Sequence, residues 1–244
     1  MDARRAQTRL VAAGFNIGID GDFGGKSYAA LMSHVGRRPD VDPLRTALGR
    51  GAARYFPGAN ITSPLRIAHA LAQQCVETGR FSTMVESLNY SEAGLLATFS
   101  RARISAADCA RLGRKAGEPP LPADRQEAIA NIVYGGAFGR DQLGNTQPGD
   151  GWRFRGRGAK QTTGRTNYAR VKKLTGIDVI TNPALLEDPD NGMRAACLFW
   201  TDKRCNRFAD ADDIEALTRA VNGGTNGLAD RRVALDRAKA ILLA

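Results

Sequence analysis

Two glutamates, Glu77 and Glu86, are the residues of this chain whose type and spacing best suit acid–base chemistry. Glu86 comes nine positions after Glu77, and on one unbroken helix this spacing would put their side chains on roughly opposite faces, about 13.5 Å apart along the axis. A helix end at Thr78-Gly79 removes that obstacle, because the chain can then bring Glu86 back towards Glu77. On spacing alone, two surface glutamates among 25 acidic residues remain the simpler interpretation.

The expected surroundings of Glu77 suit a general acid. A helix opened by Ser63 as N-cap and Pro64 at its first position should place Glu77 in its last turn. The negative end of the helix dipole and the apolar neighbours Val76 and Phe81 both favour a protonated carboxyl group. A general acid must be protonated before it acts, so this environment fits the role.

Five sequence blocks add family information to the glutamate pair. In chain order they read LRIAHALAQQCVETGRF, MVESLNYS, ANIVYGG, GDGWRFRGRGAKQTTGRTNY and VNGGTNGLADR. From about residue 43 to 244 the chain resembles the chitinase-like lysozymes of glycoside hydrolase family 19, in the form common among bacteriophage endolysins. The resemblance implies a mostly helical, lysozyme-like fold. It also implies hydrolysis of β-1,4 bonds next to N-acetylhexosamines with inversion.

The resemblance also implies individual roles. Glu77 matches the general acid, Glu86 the general base and Thr163 a hydroxyl residue that helps to hold the attacking water. Positions that match or adjoin substrate-binding ones are Lys160, Gln161, Asn167, Asn222 and Arg231. Tyr90, Tyr134 and Trp152 could stack on sugar faces, with ordinary core packing as the alternative, most of all for Tyr134.

Two positions depart from the family pattern around the acid. The usual His-Glu-Ser/Thr-Gly-Gly is here Val76-Glu77-Thr78-Gly79-Arg80, so the local shape of the cleft should differ. In addition, Lys160 replaces a commonly apolar residue and adds charge beside Gln161.

The chemistry needs neither a metal nor a cofactor. An inverting hydrolase uses one protonated carboxyl group and one carboxylate roughly 6.5–9.5 Å apart, with water between them. The chain has only two histidines, and its four cysteines form no CxxC pair. We expect no metal and no cofactor. The cysteines should be buried and reduced, with a Cys197–Cys205 bridge as the alternative.

The charge of the chain points to an anionic partner. Its 244 residues carry a formal charge of +10, and the segment from Gly151 to Thr175 has eight Lys and Arg and no acid. Such a run is often only a solvated face, but beside a glycan-binding block it could attract an anionic wall. Peptidoglycan carries lactyl-peptide carboxylates and chitin does not, which favours peptidoglycan.

Apolar periodicity predicts a mainly α protein. Helices are expected at about residues 3–13, 27–35, 42–55, 64–77, 91–112 with a break near 103, 123–134, 167–175, 190–203, 213–221 and 230–243. The glycine-rich stretch 135–158 should be irregular or form a short hairpin. No apolar run approaches the roughly 18 residues of a membrane span, so no membrane insertion is expected.

The predicted domains are a small helical module at residues 1–40 and a catalytic domain at 41–244. The turn around Asp20, Asp22 and Phe23 resembles that of peptidoglycan-binding modules, although the match is shorter than a full module. A calcium loop, a helix-turn-helix and a plain structural cap are the alternatives. About 40 residues are marginal for an independent core, so the module should dock onto the rest.

Taken together, the sequence predicts a monomeric endolysin that cleaves peptidoglycan in a muramidase-type reaction and lyses its bacterial host. No nucleic acid is expected as partner. With no signal peptide at its N-terminus, it should remain in the host cytoplasm until a separate membrane-permeabilising protein releases it to the wall. The alternatives are a chitinase with the same residues, and a non-catalytic basic protein that binds wall polymer or nucleic acid.

Overall fold

The computed structural model describes residues 1–243, which are mainly helical. The α-helices in chain order are α1 Ala3–Ala12, α2 Gly25–Val35, α3 Pro43–Tyr55, α4 Pro64–Glu77, α5 Glu92–Thr98, α6 Ala106–Leu112, α7 Ala123–Val133, α8 Gly136–Phe138, α9 Asp150–Arg153, α10 Arg165–Thr175, α11 Pro189–Asp202, α12 Asn206–Asp210, α13 Ile214–Asn222 and α14 Leu228–Leu242. Short 3-10 turns occupy Pro57–Ala59 and Pro183–Leu186, and a π turn occupies Gly139–Leu143. The mainly α fold class is confirmed.

The chain divides into two compact units. The first comprises residues 1–84, 158–160 and the part of the chain from Leu186 onward, and the second comprises residues 85–157 and 161–185. Within the described residues, extended pairing is limited to three isolated β-bridges. Two of them join Arg157 to Val85 and to Thr162, so the end of the glycine-rich stretch does form hairpin-like contacts.

The first unit is built around α4, whose apolar face lies in the middle of a continuous core. Ser63 caps the helix by accepting a hydrogen bond from the amide of Arg66, and Pro64 stands at its first position, as expected. Ile67 and Leu71 are almost completely buried. α14 packs along α4, while α2 packs on α3 and α3 on α11.

The N-terminal helices belong to this same core. Leu10 of α1 and Leu31 and Val35 of α2 are fully buried in the cluster that also contains Leu71. Arg9 donates a hydrogen bond to the carbonyl oxygen of Ile241 at 2.9 Å. The expected docking of this segment is therefore confirmed, whereas the domain boundary between residues 40 and 41 stays a prediction.

The second unit has its own smaller core, which forms around α7. Ile129 and Val133 of that helix are fully buried together with Leu88 and Leu95. α5 packs on α6, and α7 packs on α9. The break predicted near residue 103 is wider than expected, because α5 ends at Thr98 and α6 begins at Ala106.

Two further expectations concern the cysteines and the membrane. All four cysteines are buried free thiols, so Cys197 and Cys205 do not form a bridge. Burial raises the pKa of the Cys197 and Cys205 thiols to about 12, which keeps them protonated. Within residues 1–243, no helix has the length and apolar character needed to cross a membrane.

Candidate functional site

Glu77 is the last residue of α4, and the chain turns away immediately after it. Thr78 makes this turn: its hydroxyl group donates to the carbonyl oxygen of Gln74 at 2.6 Å and accepts from the amide of Phe81 at 3.0 Å. Gly79 then adopts a positive φ of 54°. The predicted helix end at Thr78-Gly79 is therefore correct, and it fixes the backbone that carries Glu77.

A buried arginine holds the Glu77 side chain. Arg231 of α14, with a side chain only 3% exposed, donates from Nη2 to Glu77 Oε1 at 2.6 Å. Its Nη1 donates to Oε1 of Gln73 at 2.6 Å, and Gln73 Nε2 donates to the Thr218 hydroxyl group at 3.2 Å. The sequence predicted mainly apolar surroundings for Glu77. That expectation is wrong, because a guanidinium group of a distant helix faces the carboxylate.

Lys160 lies beside this pair. Its ammonium group stands 4.6 Å from the ring centroid of Phe199, and Lys160 and Glu77 line one small cavity together with Gln74 and Trp200. Burial lowers the pKa of Lys160, while the charge of Glu77 opposes that change. The Oε1 atom of Gln74 is buried and has no hydrogen-bond partner among the described residues.

Asn222 is exposed at the end of α13, where its Nδ2 donates to the carbonyl oxygen of Asn226 at 3.3 Å. The neighbouring Val221 lines the same cavity as Glu77. The first unit thus brings Glu77, Lys160 and Arg231 together. The substrate-binding roles of Lys160, Asn222 and Arg231 stay predictions.

Glu86 is held in the second unit by two donors. Its backbone pairs with Gly156, because the Glu86 amide donates to the Gly156 carbonyl oxygen at 2.8 Å. The Gly156 amide donates in turn to Glu86 Oε2 at 3.1 Å, and the hydroxyl group of Tyr134 donates to Oε1. Both carboxylate oxygens therefore have a fixed partner, which orients the group for acid–base work.

The electrostatics of Glu86 reflect competing effects. Burial raises the pKa of the Glu86 carboxyl group, while the hydrogen bonds from Tyr134 and Gly156 and the charges of Arg155 and Arg103 counteract part of the rise. Arg103 is itself held in place, since its Nε donates to the carbonyl oxygen of Val133 at 2.9 Å. Glu86 is consequently a more basic carboxylate than an exposed glutamate.

A side chain at position 156 would crowd Gln161 and Glu86. A Cβ atom there would lie 2.9 Å from Oε1 of Gln161 and 3.2 Å from Oε2 of Glu86. The Thr163 hydroxyl group donates to the carbonyl oxygen of Gln161 at 3.0 Å, and Asn167 Nδ2 donates to the carbonyl oxygen of Thr163 at 2.7 Å. The structure therefore brings Gln161 next to Glu86. Thr163 is hydrogen-bonded to Gln161, and Asn167 is hydrogen-bonded to Thr163.

The aromatic residues have different surroundings. Tyr90 and Tyr134 both contact Phe99 edge-on, at centroid distances of 5.4 and 6.4 Å. One face of Trp152 carries the guanidinium group of Arg155, 3.6 Å from the ring centroid. The sequence predicted only sugar stacking or core packing for Tyr134, but its hydroxyl group binds Glu86. Its place in ANIVYGG was the available signal, but nothing local shows that its hydroxyl group reaches Glu86, 48 residues away in sequence.

Several cations of the basic segment have partners within the fold. Arg165 pairs with the buried Asp150 at 2.5 Å, and Lys172 pairs with Asp178 at 2.8 Å. Arg157 is buried and donates to the Arg153 carbonyl oxygen at 2.8 Å. Part of the segment is therefore structural.

The N-terminal turn is tied together by Gln7. Its Nε2 donates to Oδ1 of Asp20 at 2.8 Å, and its Oε1 accepts from the amide of Gly21 at 2.9 Å. Phe23 contacts Tyr28 edge-on with the centroids 5.1 Å apart. Asp20 and Phe23 thus stabilise the turn through contacts within the fold, and Asp22 lies exposed between them. Wall binding by Asp20, Asp22 and Phe23 stays a prediction.

No group of three or more His, Cys, Asp or Glu in residues 1–243 is arranged to hold a metal ion.

Comparisons with known proteins place these features in context. No family model matches the chain. A glycosyl hydrolase family 19 domain-containing protein of Haemophilus influenzae is 35% identical over 184 residues, which cover 74% of this chain and 81% of that protein. The crystal structure of chitinase C from Streptomyces griseus matches with a TM-score of 0.52 and 18% identity over 88% of this chain and 77% of that one. A class IV chitinase of the same family from Zea mays matches with a TM-score of 0.48 and 18% identity, over 88% and 89%.

Proposed function

Because this chain belongs to glycosyl hydrolase family 19 and is a glycoside hydrolase, we propose that it hydrolyses the β-1,4 bonds of bacterial peptidoglycan with inversion, as a muramidase-type endolysin. Glu77 donates a proton to the glycosidic oxygen, and Glu86 removes a proton from the attacking water. The observation that carries this proposal is the fixation of both carboxyl groups. Arg231 holds the first, and Tyr134 and Gly156 hold the second.

The environment of Glu86 suits its proposed role, and the contact with Arg231 fixes the position of Glu77. Arg231 stabilises the negative charge that Glu77 acquires when its proton leaves. Glu86 gains basicity from burial, because a carboxylate with a raised pKa takes a proton from water more readily. Tyr134 and Gly156 keep the Glu86 oxygens in one orientation during this step. Thr163, next to Gln161, supplies a hydroxyl group for positioning the water.

The proposed substrate rests on charge. Peptidoglycan bears carboxylates on its lactyl-peptide branches, and this chain carries a net charge of +10. Lys160 adds a cation beside Glu77, in the cavity that both residues line. In this proposal the enzyme acts on the wall after a separate membrane-permeabilising protein gives it access, which causes lysis of the host cell.

Chitin is the second candidate substrate. The amide groups of Gln161, Asn167 and Asn222 offer both a donor and an acceptor, which suits the N-acetyl groups of either polymer. These residues therefore do not discriminate between chitin and peptidoglycan, whereas the positive charge of the chain favours peptidoglycan.

Analysis of reaction products tests the proposal. Purified peptidoglycan and neutral N-acetylglucosamine oligomers are incubated with the enzyme, and the products are identified by mass spectrometry. The proposal requires reducing N-acetylmuramic acid ends from peptidoglycan, at a higher rate than any cleavage of the oligomers. Faster turnover of the oligomers would favour a chitinase. Products that are unchanged in Glu77→Gln would contradict the assigned acid and reopen the non-catalytic alternative.

A further inference from the structure

A second cavity lies in the first unit, on the side of α4 that carries Val76. Its volume is about 210 Å³, and it lies at the end of α4 against α14. The residues that define its chemistry are Val76, Gly79, Arg80, Asp230, Val233 and Arg237. None of them belongs to the cluster of Glu77, Lys160 and Arg231. The volume suits a small group rather than a drug-sized ligand.

Positive charge dominates this cavity. Arg80 and Arg237 line it, and neither forms an ion pair within the described part of the chain. Arg237 donates from Nη1 to the carbonyl oxygen of Val35 at 2.8 Å, which fixes its side chain without neutralising it. Asp230 is the one acidic residue of the described lining, and it is exposed.

Neighbouring arginines increase the charge further. Arg38 donates to the carbonyl oxygens of Gly79 and Arg80 at 3.1 and 3.3 Å and so braces the loop that carries Arg80. Burial lowers the pKa of Arg237 and the charges of Arg37 and Arg80 lower it further, while Cys75 and Asp230 oppose the change. Arg237 therefore lies close to like charges as well as to one carboxylate. A bound anion would relieve this repulsion.

Arg80 has a backbone conformation that is unusual for a residue with a side chain. Arg80 adopts a φ of 65°, in the left-handed region that favours glycine. An arginine is therefore present at this point of the cavity lining despite an unfavourable backbone conformation.

We propose that this cavity is an oxyanion-binding site in which the guanidinium groups of Arg80 and Arg237 bind a phosphate or carboxylate group. Arginine presents paired N–H donors that match the oxygens of either group. The site is separate from the proposed catalytic residues, so it stands whether or not peptidoglycan is the substrate.

Titration of the full-length protein with inorganic phosphate tests the site. Binding is measured by calorimetry and by thermal denaturation at pH 7, with sodium chloride added to keep the ionic strength constant. We expect saturable binding of phosphate and a matching rise in Tm that chloride does not produce. Arg80→Gly should weaken phosphate affinity about tenfold, the equivalent of one charge-assisted hydrogen bond. Because the backbone at position 80 suits glycine, this variant should keep its fold.

Arg5→Gln is the matched control, since Arg5 is an exposed arginine of α1 outside the cavity. It removes the same charge and should leave phosphate affinity unchanged. An equal loss in Arg5→Gln, or an equal effect of chloride, would overturn the proposal, because either result means general screening of a basic protein. Arg237→Lys keeps the charge but removes the paired donors, so it should also weaken binding.

A competition arm identifies the source of the oxyanion. A purified disaccharide-peptide with free carboxylates is added to the protein at half-saturating phosphate. Displacement of phosphate in the wild-type protein assigns the site to carboxylates of the wall polymer. Undiminished phosphate binding assigns it to free phosphate.

Discussion

Glu86 combines burial with two dedicated donors, and this combination has consequences for the pH dependence of activity. The base must be ionised, so kcat/KM should fall on the acidic side as Glu86 takes up a proton. Because burial raises the pKa of Glu86, this acidic limb should lie at higher pH than for an exposed glutamate. The position of the limb therefore reports on the environment of one carboxyl group.

Tyr134→Phe should move this limb further. The hydrogen bond from Tyr134 lowers the pKa of Glu86, so its removal raises that pKa and shifts the acidic limb to higher pH. The measurement is kcat/KM between pH 4 and pH 8. Tyr90→Phe is the control, because Tyr90 is not among the groups that change the pKa of Glu86 and its hydroxyl group should be dispensable for the limb. An acidic limb that stays in place in Tyr134→Phe would mean that Glu86 is not the titrating base.

Substitution of Glu77 tests the acid. Glu77→Gln removes the proton and should reduce turnover by at least about 10²-fold with the fold retained. Glu77→Asp keeps a carboxyl group but shortens the side chain, which breaks the 2.6 Å contact with Arg231 and misplaces the proton, so little activity should remain. Turnover and unfolding midpoint are measured together. Near-normal turnover in Glu77→Gln would assign the proton transfer to another residue.

At the scale of elements, the hydrogen-bonded pairing of Glu86 with Gly156 positions the proposed base. Gly156→Ala should reduce kcat about tenfold or more, because its Cβ atom would press on Gln161 and Glu86. Gly58→Ala is the matched control, since a Cβ atom at Gly58 meets nothing within 4 Å. Steady-state kinetics of both variants decide the matter. Equal kcat values would show that this pairing tolerates displacement.

The longer helices could be predicted from the sequence because their signals are local. Ser63 and Pro64 mark the start of α4, and the Thr78-Gly79 turn marks its end. α9 and α12 were missed, since four or five residues are too few to show a helical period. The π turn Gly139–Leu143 lies in a stretch whose glycines pointed only to irregular backbone.

The candidate site could be predicted only in part, because its key contacts join residues far apart in sequence. The carboxyl groups were found through the blocks around Glu77 and Glu86. The contact of Arg231 with Glu77 spans 154 residues, and no local pattern encodes it. The hydrogen bond from Tyr134 to Glu86 depends in the same way on how α7 packs within the second unit.

At the scale of the whole molecule, the N-terminal segment is part of the core of the first unit. Deletion of residues 1–38 would expose the faces that pack on Leu10, Leu31, Met32 and Val35, each of which is fully buried. Each such side chain contributes about 1.5–3 kcal/mol, so the truncated chain should unfold at a much lower temperature. Circular dichroism during heating measures this. A truncated protein with an unchanged Tm would show that the segment is dispensable for folding.

Wall attraction through the basic segment should appear as a salt effect. The Debye length falls from roughly 10 Å at 0.1 M to about 3 Å at 1 M, so activity on intact peptidoglycan should fall with salt more than activity on a neutral oligomer. Lys173→Glu should lower wall activity at low salt, because Lys173 is exposed in α10, whereas Lys172 is engaged with Asp178. Lys26→Glu, on exposed α2 surface, is the control. Equal salt sensitivity on both substrates would exclude this attraction.

The order of the units along the chain determines when Glu77 can acquire its arginine partner. Most of the second unit is one continuous stretch, residues 85–157, whereas the first needs residues from both ends of the chain. During synthesis, α4 leaves the ribosome long before α14, so the Gln73 and Glu77 side chains have no contact with Arg231 until α14 has been translated. A nascent chain therefore contains Glu77 without the arginine that fixes its side chain until α14 has been translated.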